Sequence, residues 1–157
     1  MKAIILTFAP VNESEKKCLI ETSIYKIALN QHAENLKPNI RICTDYGVFA
    51  GLLKKFKQKI VSTREYVPHE RQIYAGQISF KGSTLVACIE YLIYKKYDNI
   101  LIVGDNKVHT QVFQERVKAE INEILRLNHD TKIYQYSNGN FNLPVVSIEN
   151  FIKERNF

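Results

Sequence analysis

Gly82-Ser83-Thr84-Leu85-Val86-Ala87-Cys88-Ile89-Glu90-Tyr91-Leu92-Ile93-Tyr94-Lys95-Lys96, followed within a few residues by Ile100-Leu101-Ile102-Val103-Gly104-Asp105, decides the fold. A turn of small residues opens the first part. Its apolar residues then run almost without a break from Leu85 to Ile93, too densely for a helix that lies on the surface, so a sandwiched helix is predicted over 82–96. The run Ile100 to Val103 is apolar and largely β-branched, and it reads as a strand buried on both faces at the centre of a parallel sheet.

The same alternation extends in both directions. Strands are predicted at Ala3–Thr7, Ile24–Leu29, Ile40–Thr44, Lys59–Ser62 and Lys132–Tyr136. Helical segments are predicted from about Glu13 to Ile20, from Val48 to Phe56, from Thr110 to Leu127 and from Ser147 to Lys153, the last with Ser147 as its N-cap. The stretch from Tyr66 to Phe80, with Pro68 and Gly76, reads as irregular or as holding one short strand. Strands alternating with helices imply β-α-β units with right-handed crossovers. The expected fold is α/β: a three-layer sandwich with a mostly parallel sheet of five to six strands, as one domain over 1–157.

Composition bounds the function classes. The chain has 157 residues, 45% hydrophobic and 24% charged, which suits a globular chain able to bury its own core. No apolar run reaches the ~18 residues of a membrane span, and the short run after Met1 lacks the features of a signal peptide. The 22 Lys and Arg against 16 Asp and Glu leave a formal charge of +6, which favours an anionic partner. The only dense basic group, Lys54, Lys55, Lys57 and Lys59, reads as a helix end running into a strand. Nucleic acid is unsupported by any recognisable motif. Cys18, Cys43 and Cys88 are odd in number and widely spaced, so neither a disulfide framework nor a zinc site is expected. These features point to a reduced, cytoplasmic protein, with a homo-oligomer left open.

In open parallel sheets ligands bind beyond the carboxyl ends of the strands. Those positions single out Asn30, Asp45, Gly82, Ser83, Thr84, Asp105 and His109. Gly82-Ser83-Thr84 opens a helix whose free N–H groups and partial positive charge can hold a phosphate; the alternative is that Ser83 or Thr84 simply caps the helix. Asn30 and Asp45 end adjacent strands and could read a base or ribose, or serve as turn residues. Asp105 and His109 are the catalytic candidates: a histidine titrates near neutrality and can act as a general base, although Asp105 or Asn106 could equally cap the following helix and His109 be solvated. His32, His69 and His129 form no metal-ligand spacing with His109. Neither a Walker loop nor G-x-G-x-x-G occurs.

The order of these pieces resembles the bacterial sialyltransferase-like and motility-accessory glycosyltransferase families, whose Rossmann-like core is shared with 6-hydroxymethylpterin pyrophosphokinase. The resemblance rests on Ile27-Ala28-Leu29-Asn30, on Ile40-Arg41-Ile42-Cys43-Thr44-Asp45, on Gly82-Ser83-Thr84 before an apolar helix, on Ile100 to Asn106 where the families have a strand ending in Gly-x-Asp, and on a last strand with the tail Leu143-Pro144-Val145-Val146-Ser147. The first loop departs from the families' Gly-Pro-Ser: only Pro10 matches in Phe8-Ala9-Pro10-Val11-Asn12. The resemblance implies a single Rossmann-like nucleotide-binding domain over 1–157, binding of a nucleotide or nucleotide-sugar, in particular a cytidine (CMP) sugar, and a metal-independent glycosyl transfer in surface-glycan synthesis without a bound cofactor. Two other expectations stand beside it. One is a pyrophosphokinase-like phosphotransferase with Asp45 and Asp105 holding magnesium; the other is a binding or assembly subunit that keeps the fold without the chemistry.

Overall fold

A computed structural model describes residues 1–8, 10–63, 70–76, 78, 82–137 and 139–155, with Tyr46 described by its backbone only. His69, Lys81 and part of the Tyr66–Phe80 stretch lie outside them. In chain order the elements are β1 (Lys2–Leu6), α1 (Glu13–Glu21), β2 (Tyr25–Leu29), β3 (Ile40–Cys43), α2 (Tyr46–Lys55), β4 (Lys59–Ser62), β5 (Gln72–Tyr74), α3 (Thr84–Tyr94), β6 (Asn99–Val103), α4 (Gln111–Leu127), β7 (Lys132–Gln135) and α5 (Ile148–Lys153). A short 3-10 turn, Glu34–Leu36, links β2 to β3.

The strands form one seven-stranded sheet in the order β5-β4-β3-β2-β1-β6-β7. Every neighbouring pair is parallel. The α/β architecture is the expected one, with one strand more than the upper expectation of six. The extra strand is β5, three residues at the sheet edge, within the stretch read as irregular or holding a short strand. Its residues Gln72, Ile73 and Tyr74 are none of them buried, so no apolar run announces it.

Two-sided burial explains the apolar runs. Along β1, Ala3 and Ile5 join the core under α3 and α4, while Ile4 and Leu6 join the core under α1 and α5. Ile100 and Ile102 of β6 pair in register with Ala3 and Ile5, and Leu101 and Val103 with Ile4 and Leu6. All four β6 residues from Ile100 to Val103 are fully buried, and each such side chain contributes about 1.5–3 kcal/mol of transfer free energy. Helix α3 has seven of its eleven residues buried, which is what a sandwiched position demands. A third cluster seats Phe49, Leu52 and Phe56 of the α2 segment on Cys43 and Ile60.

The chain lays down β1 to β5 in one direction, then returns through α3 to add β6 and β7 on the other side of β1. Helices α1 and α2 pack on one face and α3 and α4 on the other. The reversal in direction and the change of face together keep one hand for the crossovers. It also leaves β1 and β6 adjacent with their following chains departing to opposite faces, which opens a crevice at their carboxyl ends. Gly104 is the residue that lets the two loops approach there. Its φ is +126°, and a Cβ at that position would lie 2.7 Å from the Phe8 carbonyl oxygen. Among the described residues, no helix is long and apolar enough to cross a membrane. Cys43 and Cys88 are buried in the core and Cys18 is partly buried, all three as free thiols. Burial, and next the nearby Asp45, push the Cys43 thiol up to about 12.

Candidate functional site

The crevice holds a cleft of about 240 Å³. Asn30 borders it from the end of β2, Gly82, Ser83 and Thr84 from the start of α3, and Asp105 and His109 from the loop after β6. Of the seven residues singled out in the sequence, the structure brings these six to one cavity. Asp45 is the exception. It is exposed, and its carboxylate caps α2 by accepting from the Val48 N–H at 3.1 Å. For Asp45 the turn role is the one the structure displays.

The amino end of α3 forms one wall. Ser83 is the N-cap, and its hydroxyl accepts from the Val86 N–H at 3.3 Å. The Thr84 hydroxyl is shared with that of Thr44 at 2.9 Å, so it ties β3 to α3 instead of standing free. Helical geometry leaves the N–H groups of Thr84 and Leu85 without an acceptor inside the helix. No acidic residue occupies the first turn. This is the arrangement that attracts an anion. Gly82 has φ +90°, a backbone conformation that side chains other than glycine's rarely adopt, and a Cβ there would run into the Arg116 guanidinium. Substitution of Gly82 therefore tests the turn as well as any ligand. Ser83 is the cleaner probe.

Asn30 sits in left-handed backbone at φ 50°, which asparagine tolerates better than most residues. Its conformation is held from below. The fully buried Arg41 donates from Nη1 to the Asn30 carbonyl at 2.9 Å and to the His32 carbonyl at 2.6 Å. The guanidinium stacks on Phe56, 3.6 Å from the ring centroid. Burial lowers its pKa, and Glu34 opposes that shift.

Opposite α3, Asp105 accepts from the Lys107 N–H at 2.8 Å, an Asx turn that shapes the loop. His109 is exposed at the rim, its ring 4.4 Å from that of Phe113. The N-cap of α4 is neither Asp105 nor Asn106 but Thr110.

Asn106 is the functional candidate that sequence reasoning passed over as a helix cap. It is 6% exposed and lines the cleft, yet neither its side-chain oxygen nor its side-chain nitrogen has a hydrogen-bond partner. Its backbone is fully engaged: the N–H donates to Asn140 Oδ1 at 3.3 Å, and the carbonyl accepts from the His109 N–H at 3.0 Å. Asn140 in turn donates to Gln114 at 2.8 Å, so a residue far along the chain fixes the loop. A buried amide with both ends open costs roughly 1–3 kcal/mol unless a ligand answers it. Such a group presents one donor and one acceptor side by side, the pattern carried by a nucleobase edge.

Among the described residues, no three His, Cys, Asp or Glu side chains come together as metal ligands. Comparisons of the chain with protein-family models, curated proteins and solved structures found no match.

Proposed function

We propose that the cleft at the carboxyl ends of β1, β2 and β6 binds a nucleotide or nucleotide-sugar, and that the protein is a metal-independent glycosyltransferase of the sialyltransferase-like kind. The observation that carries the binding reading is Asn106: a buried amide in the cleft wall whose two hydrogen-bonding atoms have no partner, in a cleft also lined by a helix amino end that bears no acid. The amide suits the donor–acceptor edge of a base, and the amino end of α3 suits a phosphate. The net charge of +6 agrees with an anionic ligand. Cytidine as the base, and transfer of a sugar as the reaction, rest on the resemblance of the strand ends at Asn30, Asp45 and Asp105 to those families. Asp45 has no part in the cleft, so the reading of the ribose falls to Asn30 and Asp105.

The test is calorimetric titration of the protein with CMP and with the other nucleoside monophosphates, in buffer containing a chelator. Saturable binding of CMP, with the amides of Ser83 and Asn106 shifting in nuclear magnetic resonance spectra, is the expected result. Absence of binding by every mononucleotide would overturn the reading.

A further inference from the structure

On the other side of the β1 carboxyl end lies a second cavity, of about 360 Å³. Thr7 and His32 border both cavities, so the two are neighbours across a single layer of side chains. The His32 ring forms part of that layer, edge-on to Phe8 at 6.1 Å between centroids. Neither of its ring nitrogens has a hydrogen-bond partner among the described residues. Burial, and then the Arg41 guanidinium, hold its pKa below the usual histidine value, so the ring is uncharged at neutral pH.

The second cavity differs in chemistry from the first. Phe8, Val11 and Leu36 supply an apolar wall, and Phe8 is 58% exposed although it is aromatic. Glu13, Lys16 and Glu34 supply the polar part. Lys55, from outside the cavity lining, pairs with Glu34 at 3.3 Å and offsets its charge, which leaves Glu13 and Lys16 as one acid and one base in the lining and the cavity close to neutral. The helix amino end beside it is closed. Asn12 Oδ1 accepts from the Glu15 N–H at 2.8 Å, and Glu15 Oε1 accepts from the Asn12 N–H at 3.0 Å. With Glu13 also in the first turn, this end of α1 repels an anion instead of attracting one.

We propose that this second cavity is a subsite for a neutral, hydroxyl-rich ligand, a sugar or glycoside, adjoining the nucleotide cleft across His32. Hydroxyl groups can donate to Glu13 and Glu34 and accept from Lys16, while the C–H face of a pyranose lies on the Phe8 ring. The assignment deepens the glycosyltransferase reading, because a transferase needs its acceptor next to its donor. It is tested separately from that reading.

The experiment uses the full chain labelled with nitrogen-15. It is titrated with a set of neutral methyl glycosides, with glucose 6-phosphate, and with CMP. The expected result is saturable shifts of the Val11, Ala33 and Leu36 amides with a neutral glycoside, and affinity for glucose 6-phosphate weaker by on the order of tenfold or more. The His32 ring resonances should respond both to the glycoside and to CMP. Phe8→Ala, at an exposed position that the fold does not depend on, should remove the glycoside shifts and leave the CMP shifts at Ser83 and Asn106 in place. If no glycoside moves those three amides, or if the sugar phosphate binds more tightly than the neutral glycosides, the subsite is overturned. If glycosides bind there but CMP shifts neither Ser83 nor Asn106, the nucleotide reading falls and the sugar site stands.

Discussion

Two helices, α1 and α3, present their amino ends at the same edge of one parallel sheet, and their first turns are built in opposite ways. In α1 the N-cap Asn12 and the residue three positions on, Glu15, satisfy each other's backbone N–H groups, and Glu13 adds a second negative charge. In α3 the N-cap Ser83 answers one N–H, the residue three positions on is the buried Val86, and no acid is present. The topology alone would make both ends anion sites. The side chains in the first turn cancel that for α1 and preserve it for α3. The lesson is that a sheet edge supplies candidate sites, and three or four residues per helix decide which of them can take a phosphate.

The largest effect should come from Asn106→Leu, a change of similar volume that removes only the open amide. CMP affinity should fall by on the order of 100-fold, the loss of two hydrogen bonds. The unliganded protein should gain about 1 kcal/mol in urea unfolding, because a buried unpaired polar group is gone. An unchanged Kd would erase the distinction between the two sides of the sheet edge.

Next in size, Ser83→Ala should cost about 1 kcal/mol of stability through the lost cap and weaken CMP by several-fold, since the α3 amino end would be less well ordered. Asn12→Ala on α1 should cost a similar ~1 kcal/mol and leave CMP affinity unchanged. Asp45→Ala should behave like Asn12→Ala, because Asp45 caps α2 outside the cleft. Equal losses of CMP binding in all three would mean that the helix ends act only through global stability. Calorimetry beside urea melts separates these outcomes.

The smallest effect concerns His32, in the wall between the cavities. Arg41 lies beneath it; Glu13, Lys16 and Glu34 face it in one cavity, and Asp105 and His109 in the other. Its pKa in the folded protein is below the ordinary value. The unfolded chain therefore takes up the proton first, and stability falls as pH drops through about 6.5 toward the folded-state pKa. Urea midpoints measured between about pH 7.5 and pH 5.5 should fall further for the native protein than for His32→Gln. Parallel declines would show that His32 does not titrate as an embedded wall residue.

How much could be read beforehand differs between neighbouring residues. Ile100 to Val103 were legible because burial on both faces leaves a continuous apolar run, and Ser147 was legible as an N-cap because capping is decided within a single turn. Asp45 and Asn30 looked alike, each a polar residue ending a strand. Only the folded chain separates the helix cap from the residue on the cleft. Asn106 looked like one more turn residue. Its burial depends on Asn140 and on the packing of α4, and nothing within a few positions of it signals either.

From its sequence alone this protein is a layered α/β chain with a parallel sheet, because hydrophobic period and two-sided burial are properties of short segments and survive without knowledge of their partners. Which strand ends share a cleft is a different kind of fact. It was decided when β6 paired with β1 on the side away from β2, bringing Thr7, Asn30, Ser83 and Asn106 around one crevice and leaving Asp45 outside it. Pairing of that kind is long-range. It depends on the summed burial of whole strands and helices against each other, so no local stretch of residues encodes it.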